Sequence, residues 1–119
     1  MDPVEWIPDE AFVVRCGVPP FVNSPLILGC RRHPEGPYGF SVQSAVGLTV
    51  AQLAAACRNN VVGYTLAGNI RTLGYEIVQT GGAGHHATVI VPEDWSPEAA
   101  SILARRFQRA ENRGSRGLP

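Results

Sequence analysis

GGAGHHATVIV, residues 81–91, is the stretch on which the fold turns. Three glycines loosen the chain, and the β-branched run that follows is too short for a helix and favours a strand. Pro92 ends it, because proline has no amide for a sheet ladder. Downstream, Ser96 is a helix N-cap with Pro97 at the first helical position and Glu98 near the positive end. That helix is predicted to run to about Arg109. Ala99, Leu103 and Phe107 would face the sheet, and Arg105, Arg106 and Arg109 would point largely outward. Upstream, Tyr75–Gln79 reads as a strand and Leu66–Leu73 as a short helix closed by Gly74, with a further strand at Val61–Tyr64.

Nearer the start, Ala11–Cys16 is an apolar strand carrying Arg15 near its end. GFSVQS, residues 39–44, alternates Phe40 and Val42 with Ser41 and Gln43, so one face is polar. Thr49 followed by Gln52 fits a capping box and opens an Ala-rich helix from Val50 to about Arg58. Between these elements, residues 17–37 hold five prolines and the Arg31-Arg32-His33 triplet, with at most a short strand at Leu26–Leu28. An irregular stretch of that length in so small a domain is more often functional than idle. The expectation is an α+β fold: a small mixed, mainly antiparallel sheet with two or three helices.

A chain of 119 residues, 45% hydrophobic, supports one core and not two. Residues 1–119 are therefore read as a single domain with an acidic arm (1–10) and an Arg-rich tail (110–119). The apolar runs are far shorter than the ~20 residues that cross a bilayer as a helix. The acidic N-terminus lacks the layout of a secretory signal peptide. The expected location is the cytoplasm, or a target cell's cytoplasm reached through a secretion system. Cys16, Cys30 and Cys57 are an odd number at wide spacing and are read as reduced, buried hydrophobes, with a reactive thiol at Cys16 as the alternative.

Net charge is zero, so no global field gathers nucleic acid, although the acids crowd the first residues and the arginines the last. All ten bases are Arg, a side chain suited to bidentate contact with carboxylate or phosphate. This leaves either a solvated face or a patch for an acidic or phosphate-bearing partner.

Chemistry is expected around His85 and His86, because imidazole is the side chain most readily used for proton transfer near neutral pH. Adjacent strand residues point to opposite faces, so His86 shares its side with Thr88, while His85 goes with Ala87 and Val89. Gly84 and its neighbours let backbone approach a ligand closely. Arg15 is either a phosphate-directed guanidinium or a structural ion-pair partner, for instance of Glu76. Diverging strand histidines do not build a zinc site, and no metal is expected. The sequence contains no GxxxxGK[ST] or GxGxxG, and His86-Ala87-Thr88 is only half of a two-histidine phosphoesterase pattern.

The order of an Arg15 strand, a Pro-rich loop, a Gly-Phe-Ser-Val strand, a His-His-Ala-Thr-Val strand and a final amphipathic helix resembles a known class. It is similar, from about Phe12 to Phe107, to the C-terminal toxin domains of bacterial polymorphic toxins and to type VI secreted effectors with an ADP-ribosyltransferase-like fold. The resemblance implies an enzyme that uses NAD to modify a macromolecular target, and a cognate immunity or antitoxin protein as partner. It implies Arg15 on the NAD diphosphate and Ser41 at the nicotinamide ribose. Gly84 would line the cofactor, with His86, His85 and Thr88 completing the catalytic group. The departure is at the third position, where the family's catalytic Glu is replaced by His86. Two rival readings stay open. A metal-independent ribonuclease toxin needs only a general base, an Arg and a general acid. A non-catalytic binding module would use the 17–37 loop and the Arg-rich tail.

Overall fold

The computed structural model describes residues 7–16, 30–32, 37–58, 61–80 and 85–111. Among the described residues seven strands form one sheet: β1 Phe12–Cys16, β2 Arg31–Arg32, β3 Tyr38–Ser44, β4 Val61–Leu66, β5 Glu76–Gln79, β6 His86–Ile90 and β7 Gln108–Glu111. The helices among the described residues are three: α1 Val50–Ala54, α2 Ala67–Arg71 and α3 Pro97–Ala104. The strand order is β5-β6-β3-β1-β4-β7, with the two-residue β2 paired to β3, and every described pair is antiparallel. The α+β class read from the sequence is the observed one. None of the described helices is long and apolar enough to cross a membrane.

The sheet carries a core on each side, and β1 contributes to both through Val13 and Val14. Val13, Phe40, Val42, Ala87 and Val89 pack with Ala67 and Ile70 of α2 and with Leu103, Ala104 and Phe107 at the end of α3. On the reverse face, Val14 and Val62 pack with Leu53, Ala54 and Cys57, so α1 covers the β1–β4 half. Both longer caps form as their residue types dictate. Thr49 accepts from the Gln52 amide at 3.1 Å while its own amide donates to the Gln52 side chain at 2.8 Å. Ser96 accepts from the Ala99 amide at 3.1 Å. Gly74, at φ 94°, makes the left-handed turn after α2.

Three expectations need correction. The last helix ends at Ala104 rather than near Arg109, and Arg109 lies on β7, opposite Gly63 of β4. The buried stripe is Ala100, Leu103, Ala104 and Phe107, and Ala99 is only half-buried. The open edge of β4 presents unpaired amides and carbonyls, and Gln108–Glu111 satisfies them. The helix read to Arg58 likewise stops at Ala54, followed by turn bonds from the Ala56 amide to Leu53 and from the Cys57 amide to Ala54.

The third concerns the cysteines, which are not all reduced: Cys16 and Cys57 are joined by a disulfide across 41 positions, with Cα atoms 5.3 Å apart. β1 and the end of α1 meet on the reverse face, a proximity that spacing along the chain does not reveal. Cys16 is therefore not a reactive thiol. Cys30 is not in a disulfide, and burial pushes its thiol pKa up against a smaller downward pull from Arg15. The 26–28 strand, Gly84, the acidic arm before Ile7 and the tail after Glu111 lie outside the described residues.

Candidate functional site

The site is fixed by strand register. Ser41 pairs with Thr88 and Gln43 with His86 across β3 and β6, while Val78 of β5 pairs with Thr88 from the other side. Directly paired residues share a face, so Ser41, Gln43, His86 and Thr88 form one polar strip. This face is the one that carries Val14, since Val14 pairs with Gln43. The polar face foreseen on GFSVQS and the pairing of His86 with Thr88 on one side are thus both present.

Thr80, just past the end of β5, completes the strip. Its Oγ1 lies 2.9 Å from His86 Nδ1 and 2.9 Å from Thr88 Oγ1. Its amide donates to the His86 carbonyl at 3.1 Å, which holds its backbone beside the histidine. Thr88 is fully buried and His86 partly so. A buried hydroxyl must be hydrogen-bonded to repay its desolvation, and here the bond is to a second hydroxyl that touches an imidazole. The arrangement can hold an imidazole ring in one orientation. His85 is exposed at the head of β6, and its carbonyl accepts from the Ser44 amide at 2.8 Å. Its ring is not drawn into the strip.

Arg15 does not join the strip either. Alternation along β1 puts it with Val13, on the side of the first core. There its guanidinium lies over the Phe40 ring, 5.4 Å from the centroid, and Phe40 in turn stacks on Trp95 at 6.0 Å. Its Nη1 donates to the Ser41 carbonyl at 2.7 Å. Arg15 therefore touches the backbone of the residue whose hydroxyl points the opposite way. The structure brings Ser41, Thr88 and His86 together and separates the Arg15 side chain from them. Glu76, considered as a partner for Arg15, is held by Arg71, which donates to Asp9 at 2.8 Å and to Glu76 at 2.7 Å.

No family model, curated protein or solved structure matches this chain. The reading of the site thus rests on its own geometry. Sequence reasoning singled out His86, Thr88 and Ser41 but missed Thr80 and gave Gln43 no role. The signal for Thr80 was its period-two spacing from Glu76 and Val78, which puts it on the Thr88 side of the strand. It was obscured because the Gly81-Gly82 pair that follows in the sequence makes Thr80 read as loop.

Proposed function

We propose that this chain is a toxin-type catalytic domain of the ADP-ribosyltransferase-like kind, using NAD to modify a macromolecular target, with the Ser41–Thr88–His86 strip as its reacting centre. The observation that carries the reading is strand adjacency. β1, β3 and β6, which bear Arg15, Ser41 and His86, are consecutive in the sheet, and two of those three side chains share a polar face.

The fit to NAD is good for its ribose half. Ser41 offers a hydroxyl and Gln43 an amide for sugar hydroxyls, and both are half-buried beside His86. Bound NAD would supply an ADP-ribosyl group whose bond to nicotinamide is the one that breaks. Of the chain's own groups, Ser41 orients the sugar, and His86 takes the proton from the incoming nucleophile at Nε2. Thr80 and Thr88 hold the ring while it does so. Arg15 acts from behind, bracing the Ser41 carbonyl, rather than on the same face as the sugar. A cognate immunity protein would block the domain by covering this strip.

One observation favours a second reading. The His86–Thr80–Thr88 hydrogen bonds are equipment for proton transfer, which a metal-independent ribonuclease needs as much as a transferase does. Induction of the wild-type chain in a bacterium without a protective partner should arrest growth, and His86→Ala and Ser41→Ala should relieve the arrest. Purified protein is then incubated with labelled NAD and cell extract, and separately with RNA. Label in the extract with intact RNA supports the transferase, and cleaved RNA without label overturns it in favour of the ribonuclease. Equal growth of wild type and both variants refutes the catalytic reading and leaves a binding module.

A further inference from the structure

We infer that the Glu76 carboxylate is a guard on the outer edge of β5, which keeps a second copy of this chain from adding to the sheet there. β5 ends its side of the sheet, and among the described residues β6 is the only strand beside it. Which of its backbone groups face outward follows from the ladder. The Thr80 amide donates to the His86 carbonyl and the Ser44 amide to the His85 carbonyl. Antiparallel bonding alternates, so His86, Thr88 and Ile90 bond to β5 while Ala87 and Val89 bond to β3. On β5, Glu76 and Val78 therefore turn their amides and carbonyls toward β6, and Ile77 and Gln79 turn theirs outward.

Outward amides and carbonyls are a template for a further strand, and β5 of a second copy matches them. Antiparallel pairing centred on Val78 sets Ile77 of each copy opposite Gln79 of the other. Each copy then supplies two outward amides, so four hydrogen bonds form, and two of the four use Ile77. Val78 falls beside Val78 and Glu76 beside Thr80, so neither pair sets like charges together. In the folded chain, however, the Ile77 amide is already taken, since it donates to Glu76 Oε1 at 2.9 Å. The same oxygen accepts from Arg71 Nε at 2.7 Å, and Arg71 Nη1 donates to Asp9 at 2.8 Å. The Arg71 side chain is only 14% exposed, so the carboxylate is held by a guanidinium that is itself fixed. Ile77 is 2% exposed although it stands on an edge strand, which fits a covered amide. A carboxylate folded onto its own strand thus removes one of the two outward donors and sets a charge in the path of an incoming strand. The Gln79 amide, the other donor, has no hydrogen-bond partner among the described residues.

Hydrogen exchange followed by NMR in the full wild-type chain reads the guard directly. Corrected for intrinsic rates, the Ile77 amide should exchange about 10-fold more slowly than the Gln79 amide, the worth of one hydrogen bond. Equal rates overturn the inference, and this reading needs no variant. Sedimentation equilibrium over a range of concentrations then compares wild type with three variants. Glu76→Ala should associate on the order of 10-fold more tightly than wild type, toward a mass of two chains. Glu76→Gln, whose side-chain oxygen still accepts the Ile77 amide, should stay with wild type. Gln79→Pro added to Glu76→Ala takes away an outward donor and no bond to β6, so it should return the mass to that of wild type. A Glu76→Ala chain that associates no more than wild type, with the NMR spectrum of the intact fold, overturns the inference. Association that survives Gln79→Pro does so too, because it then lies elsewhere on the molecule.

Discussion

Replacing Cys16 and Cys57 together by Ala tests the bond that most alters the reading of this chain. The disulfide ties the end of β1 to the turn after α1 across 41 positions, which in the chain-entropy treatment restricts the unfolded state by about 4 kcal/mol. Ala is chosen because Cys57 is buried among Val14, Leu53 and Val62, where Ser would add an unsatisfied hydroxyl. A loss of that size is a large share of the ~5–15 kcal/mol that holds a domain of this kind together. With a urea slope of about 2 kcal/mol per molar, the midpoint should fall by roughly 2 M. The melting temperature should fall by about 15 °C. The assay is urea unfolding of wild type, the Cys16→Ala/Cys57→Ala pair and Cys30→Ala, each with and without a reductant.

Wild type under reductant should approach the double variant, and the double variant should not respond to reductant at all. Cys30→Ala should respond as wild type does, because Cys30 is outside the bond. Two results would refute the reasoning. One is three titratable thiols in denatured, unreduced protein. The other is a double variant within about 1 kcal/mol of wild type, which would mean that helix packing alone holds α1 against the sheet.

Two further outcomes follow from the packing. Gly39→Ala should destabilise the fold by about 2 kcal/mol or more, measured by thermal unfolding, because a Cβ at residue 39 would stand 1.9 Å from the Val89 carbonyl oxygen and force β3 away from β6; a neutral effect would mean that the β3–β6 register differs. Burial alone would raise the Glu76 carboxyl, but the Ile77 amide and the Arg71 guanidinium outweigh it, so its pKa lies below the ordinary 4.5. Its stabilising contribution is then complete above that value and is lost as pH falls through the depressed one, so Glu76→Gln should flatten the acid side of the stability curve, and an unchanged acid limb would exclude the pair with Arg71 from that role.

What was legible in the sequence divides by the range of the interaction that decides it. The caps at Thr49 and Ser96 are local, each settled within four residues, and both form. The strands at 39–44 and 86–90 announce themselves by composition and by the proline that stops the second. The polar strip was half legible, because alternation gives the face of His86 relative to Thr88 but cannot say which strand lies alongside. The pairing of Ser41 with Thr88 is a relation across 47 positions, and nothing local encodes it.

The same limit explains the errors. Phe107 continues the four-residue spacing of Ala99 and Leu103, yet the helix ends at Ala104 and Arg109 is taken into β7 because β4, far back in the chain, has an edge to fill. Cys57 is held by a residue at the end of the first strand. Arg15 and Ser41 were grouped by chain order, but strand parity puts the guanidinium beside Phe40 and the hydroxyl on the other side of the sheet. That separation changes the kind of site this is. A catalytic group built on the Arg15 guanidinium would depend on charge, whereas the group that does assemble is two threonines, a serine, a glutamine and one imidazole.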